Sequence, residues 1–198
     1  MGKLTIEWCR PEELTSDEIF KAASWIRLLD VEFYGLFQLN ESKVFELIAQ
    51  LFFQPLSELS PTLLVRHMGS LAGLITWFPS DEMFVRRIFV LKQLLAATAN
   101  IDNIKEKLRS FEGASRKVPR DALYLSKIYV ADANRGYGLG GRLLCRFLEE
   151  SRVLVRNSIL HVKHDNYAAV ALYEKYGFVK IDSNDKNCYC LMESRLHF

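Results

Sequence analysis

Six residues, Arg135-Gly136-Tyr137-Gly138-Leu139-Gly140, carry the most legible chemistry in this chain. They fall between an apolar alternating run, Leu123 to Val130, and an amphipathic run at helical spacing, Leu139 to Val155. A glycine-dense passage from a strand into a helix N-terminus gathers several backbone N–H groups around one point, and the helix dipole adds its positive end there. Glycine permits the positive-φ conformations and close backbone approach that such a turn needs. The arrangement suits an anion, above all a pyrophosphate. Read literally, Gly136 to Gly141 also matches the G-x-G-x-x-G dinucleotide fingerprint, with Asp165 after the next strand where a ribose-binding acid would sit.

Spacing argues against the dinucleotide reading. Its first glycine should follow the strand almost directly, yet Ala131-Asp132-Ala133-Asn134-Arg135 intervene. Only about 57 residues follow Gly141, too few for the strands that a doubly wound fold still needs. A second pattern appears instead, Asn166-Tyr167-Ala168-Ala169-Val170-Ala171-Leu172-Tyr173-Glu174-Lys175-Tyr176-Gly177-Phe178. Arg135, Gly138 and Gly140 read as R-x-x-G-x-G, and the later stretch as N-x-x-A-x-x-L-Y-x-K-x-G-F. This ordered pair, joined by one strand, resembles the coenzyme A loop and the following helix of the GNAT superfamily of N-acyltransferases.

The elements around these motifs follow from periodicity. Leu4 to Cys9 alternates as a strand. Thr15 and Glu18 form a capping box for a helix whose inner face runs Ile19, Ala22, Ala23, Ile26, Leu29 and Phe33. A second helix opens at Asn40 or Ser42 and closes before Pro55. Thr62 to Met68 and Leu71 to Phe78 read as a hairpin turning at Gly69-Ser70. Phe84, Ile88, Leu91 and Leu95 repeat at helical spacing, continued by Ile104, Leu108 and Phe111, before a basic connector from Gly113 to Arg120. Strand Leu123 to Val130, helix Leu139 to Val155, strand Ser158 to Lys163, helix Tyr167 to Tyr176 and strands Phe178 to Ser183 and Asn187 to Glu193 complete the order. That order resembles the GNAT fold over nearly the whole chain. The expected class is α/β (α+β): a mixed, mostly antiparallel sheet of about seven strands flanked by helices, in one domain over residues 1–198. A helical insertion at about 80–120 separates the third and fourth strands; it serves either as packing over the sheet or as a lining of the acceptor site.

The resemblance implies acetyl-CoA as co-substrate and a primary amine of a small molecule or peptide as acceptor, joined by direct attack in a ternary complex. Ile128, Tyr129 and Val130 would meet the pantetheine arm and thioester. Arg135, Gly136, Tyr137, Gly138, Leu139, Gly140, Gly141 and Arg142 would enclose the pyrophosphate, and Asn166 would cap its helix and touch the pantetheine. Tyr173 is the candidate general acid, since a phenol of pKa about 10 protonates a thiolate of pKa about 8.5 only modestly uphill; a core tyrosine is the alternative. The fourth strand holds no acid, so the base is open among Tyr124, Ser126 and His161 through water, or Asp121 or Glu32. Trp25, Phe33, Tyr34, Trp77 and Phe78 stand where the family places acceptor walls, with core packing as the alternative for all five; Asp30, Glu32 and Glu41 either attract a cationic amine or are surface charges near helix ends. The missing strand acid also favours the alternative of an idle acyl-CoA-binding module.

Composition narrows the setting. A net charge of +2 with 25% charged residues gives no reason to expect nucleic acid or an anionic membrane. Hydrophobic content of 49% argues for a packed globule rather than a disordered chain. Cys9, Cys145, Cys188 and Cys190 form no disulfide framework. His161 and His164 with Cys188 and Cys190 lack zinc-ligand spacing, so no metal is expected. The N-terminal stretch has no long apolar run, and Ile6 stands where a myristoylation signal wants Ser or Thr. No run of about 18 apolar residues occurs. A cytoplasmic protein, monomeric or homodimeric, is the expectation.

Overall fold

The computed structural model describes residues 5–98, 118–154, 156–181 and 188–194. Among them a seven-stranded sheet runs in the order β1-β2-β3-β4-β5-β7-β6. Its strands are β1 Ile6–Cys9, β2 Thr62–His67, β3 Ser70–Pro79, β4 Ala122–Val130, β5 Asn157–Lys163, β6 Val179–Lys180 and β7 Tyr189–Ser194. Neighbours pair antiparallel except β4 and β5, which run parallel. The expected sheet is therefore present, with mixed but mostly antiparallel pairing.

Six α-helices flank the sheet among the described residues: α1 Ser16–Leu29, α2 Val31–Gly35, α3 Glu41–Leu51, α4 Met83–Ala97, α5 Leu139–Val153 and α6 Tyr167–Lys175. One face carries α1 and α3, whose Ile26, Ile48 and Leu51, with Phe52 just after α3, pack with Leu64 and Leu74 of the sheet. On the other face Leu143, Leu144 and Phe147 of α5 and Val170 and Tyr173 of α6 cover Leu123, Leu125 and Leu160. Alternation along β4 divides its side chains between the two, with Leu123 and Leu125 on the α5/α6 side and Tyr124 on the opposite one.

The structure differs from the sequence expectation in two local places. The helix expected to run through Phe33 breaks at Asp30, which has φ −130° and ψ 46° and separates α1 from α2. The carboxylate of Asp30 is bonded to Lys127 on β4, and that tertiary tie outweighs helical continuity. The hairpin turn is Met68-Gly69 rather than Gly69-Ser70, both residues at positive φ (51° and 75°), as a two-residue turn between twisted strands requires. The continuation through Ile104, Leu108 and Phe111, most of the Gly113–Arg120 connector and the Ser183 and Asn187 strand ends lie outside the described residues.

One carboxylate holds α1 to the sheet. The Thr15 hydroxyl accepts from the Glu18 backbone N–H at 3.3 Å, and the Glu18 carboxylate accepts from the Thr15 N–H at 3.0 Å, closing the capping box. The same carboxylate takes Arg66 Nε of β2 at 2.9 Å. The hydrogen bond from Arg66, with that from Thr15, pulls the Glu18 carboxyl down to about 2. A depressed carboxylate stabilises the fold at neutral pH and loses that contribution as pH falls from about 4.5 through about 2. Glu18→Gln is expected to lower stability at pH 7 by about 1 kcal/mol. Denaturant melts of variant and parent should converge as the pH approaches the Glu18 value.

Candidate active site

The parallel pair β4–β5 holds for four register positions, Ala122↔Asn157 to Leu125↔Leu160, and then stops. Beyond that point β4 stays with β3 and β5 stays with β7. A register shift against β3 falls at the same level, between Thr76 and Trp77, and leaves Ser126 as the extra residue on β4. Residues 122–125 are buried, and residues 126–130 are only partly so. The strands thus part into a gap lined by unpaired backbone.

A cleft of about 420 Å³ lies at this opening, lined by Leu28, Leu29, Ile128, Tyr129, Val130, Asp132, Arg135 and Asn166. Five residues proposed from sequence, Ile128, Tyr129, Val130, Arg135 and Asn166, share this one surface. Tyr129 is fixed from behind by Trp25, stacked at a centroid distance of 5.0 Å. Arg135 is folded onto its own loop: its guanidinium reaches Asp132 at 2.8 Å and the Val130 carbonyl at 3.2 Å, and it lies 5.9 Å from the Tyr129 ring.

The glycine loop follows. Gly136 and Gly138 have φ of 84° and 81°, and Gly138 is the N-cap of α5. Both are exposed, as are Tyr137 and Arg142. Leu139 is buried in the α5/α6 core, so its side chain serves packing. Gly140 and Gly141 serve close approach: a Cβ on Gly140 would meet Leu172 at 3.4 Å, and one on Gly141 would come within 2.2 Å of the Tyr176 hydroxyl. Gly141→Ala is therefore expected to lower stability by about 1–3 kcal/mol through overpacking. Pairing it with Tyr176→Phe should restore part of the loss, as a double-mutant cycle of melting curves would register.

On α6, the Asn166 side chain accepts from the Ala169 N–H at 3.2 Å and caps the helix facing the cleft. Tyr173, about two turns further on, is buried, with its ring 5.8 Å from Phe178. Burial, and then the neighbouring Tyr124 phenol, raise the Tyr173 phenol well above its ordinary pKa. Tyr124 belongs to the opposite face of the sheet, within the joined part of β4 and β5.

That other side holds a polar cluster that joins Asp30, Tyr124, Ser126 and His161, named from sequence, to Lys127, Glu58 and Arg87, which the sequence reading missed. Lys127 of β4 is bonded to Asp30 and lies 3.8 Å from Glu58, with both Lys127 and Glu58 side chains buried. Burial alone would favour neutral Lys127, but Asp30 and Glu58 outweigh it and hold the ammonium charged. Ser126 donates to Glu58 at 3.3 Å. From α4, Arg87 approaches Glu58 at 4.0 Å and donates to the Tyr124 hydroxyl at 3.1 Å, and that hydroxyl lies 3.2 Å from His161 Nδ1. The segment after β3 thus delivers a cation to the same face.

A second cleft, about 210 Å³, adjoins the first through Leu28 and Leu29 and is completed by Asp30, Val31, Glu32, Phe33, Lys163 and Tyr189. Of the five aromatics proposed as acceptor walls, Phe33 lines it; Trp25, Tyr34 and Phe78 are buried in the core, and Trp77 packs toward Phe147. Asp30 and Glu32 line it as well, while Glu41 sits exposed at the start of α3. Among the described residues no group of three or more His, Cys, Asp or Glu is arranged to hold a metal, and no helix is long and apolar enough to cross a membrane.

Residues 95–180 match a family model described as an acetyltransferase (GNAT) domain. Solved structures match over almost the whole chain. An N-acetyltransferase from Staphylococcus aureus Mu50 is 19% identical with a TM-score of 0.69, over 96% of this chain and 99% of that one. This is the GNAT fold. A protein described as an acetyltransferase gives 19% identity and 0.66 over 98% and 100% of the two chains. A GNAT family acetyltransferase from Elizabethkingia anophelis with acetyl-CoA bound gives 14% and 0.51 over 98% of each. No curated protein matches the sequence. In this GNAT frame the glycine loop, the parted strands and α6 occur in the order that the two motifs implied.

Proposed function

We propose that the chain is an N-acetyltransferase that moves the acetyl group of acetyl-CoA to a primary amine of a small molecule or peptide, by direct attack in a ternary complex. The observation that carries this reading is the single cleft formed by Ile128, Tyr129, Val130, Arg135 and Asn166 where β4 leaves β5, with Gly136 and Gly138 beside it at a helix N-terminus. The unpaired edge of β4 offers backbone groups to an amide-bearing pantetheine arm. Backbone N–H groups of the loop, in the field of the α5 dipole, receive the pyrophosphate. The amine enters through the adjoining cleft, and the two reactants meet beside Leu28 and Leu29.

The chemistry forms one C–N bond and breaks one C–S bond. An alkylammonium of pKa about 10.4 must first lose a proton. Arg87 donates to the Tyr124 oxygen, and that oxygen lies within hydrogen-bond distance of His161 Nδ1. With His161 Nδ1 as the acceptor, Tyr124 takes the amine's proton, directly or through water, while passing its own to His161, so the pair supplies the base in place of a β4 carboxylate. Polarisation of the thioester carbonyl by a backbone N–H of the parted strand lowers the barrier further. At the leaving sulfur, Tyr173 stays a neutral hydrogen-bond donor at any working pH, because burial holds its proton. Its raised pKa disfavours complete transfer ahead of C–S cleavage, so its role is donation to the developing thiolate.

Release of free thiol from acetyl-CoA across a panel of amines tests the reading. Tight CoA binding without turnover on any amine would favour an idle acyl-CoA-binding module. Gly138→Asp brings a carboxylate to the anion site and a side chain to a φ of 81°. It is expected to weaken CoA binding about tenfold or more, because a repulsive charge stands where the N-terminal dipole attracts one; unchanged affinity in calorimetry on a folded variant would remove the loop from the site. Tyr173→Phe keeps the ring and deletes the proton. Turnover should fall about 10²-fold with CoA affinity retained. A tyrosine that only packs would instead leave turnover at the parental rate.

A further inference from the structure

The second cleft contains an ammonium already. Lys163 Nζ, from the end of β5, donates to Glu32 Oε1 of α2 at 3.1 Å and stands 5.8 Å from the centre of the Tyr189 ring. Lys163 and Tyr189 are register partners on neighbouring strands. The ion pair joins positions 131 residues apart across the cleft mouth, yet its partners are 40% and 68% exposed, so its contribution to stability is small. An exposed carboxylate, an aromatic face and a cleft lined by a further acid, Asp30, form a receptor for a cation, and Tyr rings bind cations through their faces. Asp30 is engaged by Lys127, which leaves Glu32 as the acid whose resting partner is itself exposed.

We propose that Glu32 and the Tyr189 ring form a subsite for a second cationic group on the acceptor, and that Lys163 occupies this subsite in the free protein. The acceptor class is then a short aliphatic amine with a second positive charge, a diamine rather than a simple alkylamine. The inference rests on the acyltransferase reading for its reacting amine, but the subsite itself is a binding site that can be measured without turnover. Binding exchanges one ammonium for another at Glu32: the acceptor's second charge takes the carboxylate and ring face, and the Lys163 side chain swings to solvent. No bond is made or broken. A cleft of about 210 Å³ fits a short chain of this kind. Tyr189 lies with its ring against the Lys163 side chain, so it holds either cation in turn.

Two substitutions with opposite signs test the exchange. Glu32→Gln removes the carboxylate; Lys163→Gln removes the occupant. Kinetics with acetyl-CoA compare aliphatic diamines of graded length with monoamines of the same length, beside calorimetry of each diamine on the CoA-loaded protein. Glu32→Gln should reduce the diamine-to-monoamine ratio of kcat/KM about tenfold, the effect of losing one charge-assisted hydrogen bond. Lys163→Gln should lower the KM for diamines about threefold, the size of an exposed competing pair. Equal changes for both amine types in Glu32→Gln would mean a wall that merely shapes the cleft, and would overturn the proposal. A raised diamine KM in Lys163→Gln, with a better response to amines bearing a carboxylate in the parent, would assign the site to an anionic group and overturn it too. If no amine turns over, the enzyme reading fails; diamine binding that is lost in Glu32→Gln would still establish the subsite, and diamine binding equal in parent and variant would refute it.

Discussion

The whole site depends on a sheet that is not allowed to close. Four register pairs join β4 to β5, and beyond Leu125 and Leu160 the two strands belong to different wings, one continued by β3 and the other by β7. A backbone edge left unpaired in a protein interior is costly unless something satisfies its N–H and C=O groups. Here the opening stays partly exposed, and an extended ligand with its own amides has the right pattern to complete the ladder. The bulge at Ser126 makes the parting structural. It shifts the β3–β4 register at the level where β5 departs, so a closed sheet would need that extra residue removed.

The buried charges on the α1/α3 side act on the same point. Lys127 follows the bulge directly, and its ammonium is held charged between Asp30 and Glu58. Such a cluster is a poor source of net stability, because desolvation offsets most of the attraction. What it provides is position: a one-residue slip of β4 would turn Lys127 toward the apolar layer of α5 and α6, where no partner waits. The ties reach three separate parts of the chain, the α1–α2 junction through Asp30, the segment before β2 through Glu58, and α4 through Arg87. Each is thereby registered against the strand that forms the cleft.

Local features were legible in the sequence, and long-range ones were not. The glycine loop, the Thr15–Glu18 box and the Asn166 cap are written within a few residues, and strand alternation gave the sheet members. Glu58 was not singled out, because nothing near Ser57-Glu58-Leu59 points to its partners Arg87, Ser126 and Lys127 elsewhere in the chain. A usable signal did exist on the other side of the contact. Lys127 is the one charged residue of its strand, and a charge in a buried strand requires a counter-charge from elsewhere in the chain. Asp30 gave a similar signal, an acid on a helix that otherwise reads as continuous through Phe33. The aromatic residues show the converse limit. Trp25, Tyr34 and Phe78 carry the same composition signal as Phe33, and only packing separates a cleft wall from a core residue.

The break at Asp30 also determines how the two clefts relate. Leu28 and Leu29 line both, and the residue after them is tied to the residue before Ile128 on β4. Had α1 continued as a straight helix, its next turn would have carried Glu32 and Phe33 away along the α1 axis, and no second cleft would adjoin the first. Because the chain turns at Asp30, the acids and the apolar wall arrive together beside the parted strands. A single partly buried ion pair thus sets the distance between the wall of one cleft and the backbone of the other. The cost of desolvating Lys127 is then the cost of holding two clefts in register, which explains why a charge occupies a position that an apolar residue would fill more stably.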